Sequence, residues 1–140
     1  MKKYSLINTI TGWVVFVIAA FVYLSTIEPT ASFWDCGEFI SSAFKLEVGH
    51  PPGAPLFMMV GRVFTLFAGK DLTMVPKMVN SMSALFSALT ILFLFWSITH
   101  LARKIVAKEG EMTSAQMIAI LGSGLVGALA YTFSDTFWFS

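Results

Sequence analysis

Three runs of apolar residues dominate the chain, separated by one long polar-punctuated stretch and one short basic one. The first, "INTITGWVVFVIAAFVYLSTI", extends from Ile7 to Ile27, carries no charge, and is closed by Pro29. The second, "SMSALFSALTILFLFWSITHLA", covers Ser81 to Ala102, and the third, "AQMIAILGSGLVGALAYTFSDTFWF", covers Ala115 to Phe139. Crossing a hydrocarbon core takes about 20 mostly apolar residues as a helix. The pattern therefore predicts three transmembrane helices. A secretory signal peptide would also pair a basic start with an apolar run, but that run is usually about 7–15 residues. The first segment is longer, and "PTAS" is a poor cleavage site, so a retained helix is expected. In the third segment, Gly122, Ser123, Gly127 and Ala128 supply small side chains of the kind that let membrane helices pack closely.

Residues 28 to 80 are too long a connection for a simple turn, and their pattern is helical. Cys36, Phe39, Ile40, Ala43 and Phe44 recur at the spacing of one helical stripe, while Asp35, Glu38, Ser42 and Lys45 share another face. This predicts a short amphipathic helix at a membrane surface, ended by Gly49 and Pro51. A second short helix is expected over Ala54 to Ala68, stopped by Gly69; at 1.5 Å per residue it rises only about 22 Å, too little to span. Between the two lies "GHPPG". The prolines fix their own φ and bias the residue before them away from helix, and Gly49 and Gly53 allow close backbone approach. A stiff corner at His50 is the result.

Composition agrees with the pattern. The chain of 140 residues is 56% hydrophobic and 12% charged, with fourteen Phe and four Trp, against about 25% charged residues in a soluble domain. A net charge of +1 without a basic run excludes a nucleic-acid partner. One cysteine, Cys36, excludes an internal disulfide. The motifs of a metal site or a nucleotide-phosphate loop are absent, so neither a metal nor a cofactor is expected.

Lysine and arginine set the orientation. Lys2 and Lys3 precede the first span, and Arg103, Lys104 and Lys108 lie between the second and third. Both flanks read as cytoplasmic, so residues 28 to 80 and the far end of the third span face the opposite compartment. Asp35, Glu38, His50 and Asp135 are thereby brought to one side by topology alone.

Each polar residue there has two readings. Ser32-Phe33-Trp34-Asp35 matches a capping pattern, so Asp35 either caps a helix or, with Glu38 one turn away, forms a carboxylate pair. Mutual repulsion and partial burial would raise the pKa of one member of such a pair and suit it to proton abstraction. His50 is either a structural imidazole or a substrate contact. Arg62 either snorkels to headgroups or binds a lipid phosphate. Asp135 sits within an apolar run, where an acid is costly and often functional, or else at a helix exit, where the cost is small.

The stretch "DCGEFISSAFKLEVGHPPGAPLF" resembles the signature of the DUF2723 membrane-protein family, with its D-x-G-E and HPPG-x-P-L-F elements, and "SDTFWFS" resembles that family's later aromatic segment. The family is similar to the protein O-mannosyltransferases and other GT-C glycosyltransferases. The resemblance implies an all-α polytopic fold. The chain would be the N-terminal transmembrane part of a longer protein, with spans near 7–27, 81–102 and 115–139 and an extracytoplasmic loop over 28–80 bearing two juxtamembrane helices. It implies sugar transfer from a polyprenyl-phosphate lipid to a protein or glycan hydroxyl with inversion. Asp35 or Glu38 would be the base, and His50, Arg62 and Asp135 would contact substrate. The implied setting is a bacterial inner membrane with the site on the periplasmic face, the partners being the sugar lipid, the hydroxyl acceptor and membrane lipid. Two departures stand out: Cys36 and Gly37 separate the acids that are adjacent in the O-mannosyltransferases, and Ala54 and Pro55 follow the HPPG where those enzymes have lysine. The rival class is a transporter or scaffold subunit, but a transporter places ionisable groups near the midplane of its spans, and the first two spans here contain no acid, lysine or arginine. On this reading the segment is inactive when isolated.

The orientation is open to a direct test. A membrane-impermeant thiol reagent should label a cysteine placed at Lys70 from outside the cell and leave one at Lys108 untouched; the reverse result would invert the topology.

Overall fold

The structure, a computed structural model, describes residues 2–32, 34–51, 53–106 and 112–134. These form five α-helices: α1 (Lys2–Thr26), α2 (Cys36–Lys45), α3 (Pro55–Thr65), α4 (Val75–Val106) and α5 (Ser114–Thr132). Two 3-10 turns, Leu66–Ala68 and Leu72–Met74, lie between α3 and α4, and no strand occurs among the described residues. Three helices are long and apolar enough to cross a membrane: α1, α4 with the turn before it, and α5. The described residues group into two compact units, one of Met1–Tyr23 with Phe86–Ser140 and one of Leu24–Leu85.

In the first unit, α1, α4 and α5 meet through small residues. On α1, Gly12, Val15, Ala19 and Ala20 are buried while Leu6, Trp13, Val17 and Phe21 point outward. Large apolar side chains on the outside suit a lipid surroundings, where close backbone approach, rather than water exclusion, holds helices together. A Cβ at Gly12 would run into the Trp96 ring and lie 3.1 Å from Leu92, and one at Gly124 would lie 2.8 Å from the Phe95 ring. Gly127 packs on Ile98, and Ala128 is fully buried. Gly122 and Ser123, expected at close-packing positions, are not: nothing lies within 4 Å of a Cβ at Gly122, and Ser123 is exposed. The helical register turns Gly124 inward in their place.

The loop side of α5 is held by a capping box. Thr113 Oγ1 accepts from Gln116 N–H, the Gln116 side chain accepts from Thr113 N–H, and Gln116 Nε2 donates to the Val106 carbonyl at the end of α4. At its other end, α5 stops at Thr132, whereas the pattern extended the third span to Phe139. Residues 135–139, and with them the candidate Asp135, lie outside the described residues.

The second unit is built on the beginning of α4. That helix starts at Val75, six residues before the expected Ser81, and its 32 residues rise about 48 Å, more than the roughly 30 Å of a hydrocarbon core. Lys77 and Asn80 make its first turns look like loop in sequence. Pro76, tolerated in a first turn, lets the helix begin there. Val75, Val79 and Met82 on those turns form a buried cluster with Ile40 of α2, and Phe44, Phe57, Val60 and Phe64 pack against it. Gly61 brings α3 against α2, since a Cβ there would lie 2.9 Å from that of Ala43.

Three details of this unit depart from the pattern. The buried stripe of α2 is Ile40, Ser42 and Ala43, so Ser42 lies inward and Cys36 is exposed, the reverse of their expected faces. The helix ends at Leu46 rather than at Gly49: Leu46 adopts φ 57, and Glu47 N–H returns to the Ser42 carbonyl. The α3 region ends as expected at Gly69, with φ +62, but its last turn tightens to 3-10 geometry.

Gly122 and Gly124 separate packing from propensity. Gly124→Ala should lower the unfolding midpoint of the full-length protein in detergent, at a cost of about 1–3 kcal/mol for overpacking. Gly122→Ala should be neutral or stabilising by up to about 1 kcal/mol.

Candidate active site

The polar cluster forms where the chain after α2 turns back along the helix. Leu46 in the left-handed region reverses the backbone, at a cost of roughly 1–2 kcal/mol for a side chain with a Cβ. Glu47 to His50 then return toward the helix start. Gly49 allows the close approach, because a Cβ there would lie 3.1 Å from Glu38 Oε1 and 3.7 Å from Met58. The corner closes when Gly53 N–H donates to the His50 carbonyl at 2.9 Å, with Gly53 at φ +75. Gly53 is required for its backbone conformation rather than for space.

Glu38 receives the returning chain with both oxygens. Oε1 accepts from His50 N–H at 2.7 Å, and Oε2 meets His50 Nδ1 at 2.9 Å. His50 Nε2 lies 3.9 Å from Asp35 Oδ2, so the imidazole stands between two carboxylates. Phe39 meets the His50 ring edge-on, and Phe57 supports Phe39 at 5.4 Å. The structure thus brings together Asp35, Glu38 and His50.

The electrostatics differ from those of a bare carboxylate pair. The hydrogen bond from His50 N–H, then that from its ring, holds the Glu38 carboxyl below the usual glutamate range. The expected upward shift therefore does not occur at Glu38: donated hydrogen bonds stabilise its anion, and it is solvent-exposed rather than buried. His50 is raised above the usual imidazole value by its hydrogen bond to Glu38, then by the charges of Glu38 and Asp35.

Asp35 occupies the position before the first helical residue, yet its carboxylate makes no capping hydrogen bond, and the helix does not begin at Ser32. The capping reading of Asp35 is thereby corrected: α2 starts at Cys36 without that bond. Trp34, just before it, holds φ 62, a second non-glycine residue in the left-handed region. Such strain clusters at functional sites.

Arg62 is engaged elsewhere. Its Nη1 donates to the Phe44 carbonyl at 2.8 Å, satisfying an end carbonyl of α2, and its guanidinium lies over the Phe44 ring. This is the opposite end of α2 from Asp35, about 13 Å away along the helix, so Arg62 does not join the cluster. Asn80 carries a role the pattern did not signal beyond a lone amide in a helix's first turns. Its Nδ2 donates to the Glu28 and Thr30 carbonyls at 2.8 and 3.1 Å. No group of three or more metal-ligating side chains is found among the described residues.

An all-helical, membrane-spanning segment that holds an acid–histidine–acid cluster on a proline-stiffened corner defines a class of integral membrane protein with a polar site outside its spans' sequence. The chain belongs to the protein O-mannosyl-transferase TMEM260 N-terminal domain family, which matches residues 35–140, beginning at Asp35. It is 28% identical over 130 residues to the protein O-mannosyl-transferase tmem260 of Dictyostelium discoideum, covering 88% of this chain and 13% of that protein. It is 34% identical over 93 residues to the protein O-mannosyl-transferase TMEM260 of Mus musculus, covering 63% of this chain and 12% of that protein. The chain thus spans about an eighth of the length of these relatives. No solved structure matches it.

The Glu38–His50 pair sets a pH window. The histidine's contribution is complete below the ordinary imidazole value and is lost as pH rises through its raised pKa. The glutamate's is complete above the ordinary carboxylate value and is lost as pH falls through its lowered one. The corner should be firmest between those ordinary values, about 4.3 and 6.5. In NMR of the full-length protein, the His50 signal, assigned by its loss in His50→Gln, should titrate above the free imidazole, and Glu38→Gln should bring it back down. An unmoved midpoint would refute the pairing.

Proposed function

We propose that the full-length protein is an integral-membrane glycosyltransferase of GT-C type that transfers a sugar, mannose by analogy with the relatives' names, from a polyprenyl-phosphate donor to a protein Ser or Thr hydroxyl. Family membership and the two named relatives support the reaction class. The residue-level reading rests on one observation: Glu38 commits both oxygens to His50, whereas Asp35 meets His50 only at 3.9 Å and caps nothing.

On this reading Asp35 is the base. It takes the proton of the acceptor hydroxyl as the acceptor oxygen bonds to the anomeric carbon. The bond from that carbon to the phosphate oxygen breaks, and the polyprenyl phosphate leaves with the electron pair. Attack opposite the leaving group inverts the anomeric centre, so the phosphate lies on the far side of the sugar from Asp35. Glu38 anchors the corner, and the His50 imidazole stands between the two acids, 3.9 Å from Asp35. A lipid-phosphate leaving group needs no nucleotide site. Asp135 is retained as a substrate contact; Arg62, held at the Phe44 carbonyl about 13 Å along the helix from Asp35, is not. The site faces the extracytoplasmic side, with α2 and α3 along the outer leaflet and the donor supplied from the membrane.

Asp35→Asn tests the reading. It preserves the shape of the side chain, which caps nothing, but cannot accept the proton. Transfer by the full-length protein should fall about 10²-fold or more with folding and insertion unchanged. Glu38→Gln should lower transfer less and make it more sensitive to pH, through the loosened His50. Wild-type turnover in Asp35→Asn would remove the basis for this mechanism.

A further inference from the structure

A groove of about 350 Å³ opens beside Asp35. Its walls include Trp34, Phe39 and Phe57, its floor Ile40 and Val79, and Asn80 and Ser83 add polar atoms. Such a volume falls within the range of small-ligand sites. Trp34 stands at this groove and is 97% exposed. A large aromatic ring left exposed on a backbone held at φ 62 gains nothing from its own fold. The fold therefore bears both the strain and the exposure at the residue next to the proposed base.

Charge indicates what the groove takes. Among the described residues that line it there is no lysine, arginine or histidine, and Asp35 contributes an acid. A phosphate there would meet the Asp35 carboxylate with no cation in the groove's own lining, since His50, 3.9 Å from Asp35, is not among the lining residues. The chemistry proposed above also places the leaving phosphate across the sugar from Asp35, leaving the Asp35 side to the nucleophile. We propose that this groove binds the acceptor as an extended polypeptide segment. An apolar or aromatic residue beside the target Ser or Thr packs against Trp34, Phe39 and Phe57, and acidic neighbours are disfavoured by Asp35. The identification of the bound polypeptide as acceptor rests on the glycosyltransferase reading; the groove's preference for an apolar, non-acidic segment rests on its lining.

Binding of synthetic peptides to the full-length protein in nanodiscs, without donor, tests the groove separately from catalysis. A Ser/Thr peptide with a neighbouring Phe or Val should bind at least about tenfold more tightly than one with neighbouring Asp or Glu. Trp34→Ala and Trp34→Gly should each weaken the better peptide about tenfold, and Trp34→Phe should restore most of the affinity. The glycine variant relieves the backbone strain, so a loss shared with alanine belongs to the ring. The melting temperature should stay unchanged in Trp34→Ala and should not fall in Trp34→Gly, since the ring is exposed. Equal peptide affinity in the wild type and Trp34→Gly overturns the proposal. So does a change confined to the donor's KM, which would give the groove to the sugar, or one confined to membrane insertion, which would make Trp34 a lipid anchor. Peptide binding that depends on Trp34 alongside normal turnover in Asp35→Asn would uphold the groove and defeat the catalytic reading instead.

Discussion

Ile40, Val75, Val79 and Met82 bury against one another, and the polar site hangs on that contact. Burying such a side chain from water is worth about 1.5–3 kcal/mol. Ten residues of α2 would be marginal in isolation. Seated on the first turns of α4, the helix presents Asp35 and Glu38 on a fixed base, and Arg62 and Gly61 fasten α3 along its other side.

With that seat in place, the two acids divide their roles by what surrounds them. They are three residues apart on similar ground, and composition treats them alike. Glu38 falls where the returning backbone passes, and its oxygens are taken by a main-chain N–H and an imidazole. Asp35 falls at the helix start, beside a groove and a strained tryptophan. The interrupted D-x-G-E spacing thus yields one carboxylate that holds the corner and one that lines the groove.

The three long helices were legible because length and uninterrupted apolarity suffice to specify them. The first turns of α4 were not, because Lys77 and Asn80 read as loop while the inward residues Val75 and Val79 were too sparse to outweigh them. The phase of α2 slipped for a related reason: Ser42 is small enough to be buried, and Cys36 sits too early on the helix to reach the core. Its end was misplaced because Gly49 is the obvious breaker, whereas the chain turns at Leu46, a residue that only its surroundings force into the left-handed region. From that missed reversal follows the missed Glu38–His50 pair, since twelve residues of separation carry no local signal. Asp35, Glu38 and His50 were nevertheless identified as candidates, because acids and an imidazole beside a proline pair are rare in an apolar chain.

The Asn80 amide, which holds the Glu28 and Thr30 carbonyls from 52 and 50 positions further along, has a consequence for biosynthesis. A ribosome delivers Glu28 and Thr30 long before Asn80, and Asp35 long before Val75, Val79 and Met82. Until the start of α4 leaves the exit tunnel, the strand after α1 has no clasp and α2 has no seat. The acids are therefore made early and ordered late, their placement waiting on the second long apolar helix. A nascent chain halted before Met82 would carry every residue of the acid–histidine cluster and no defined site.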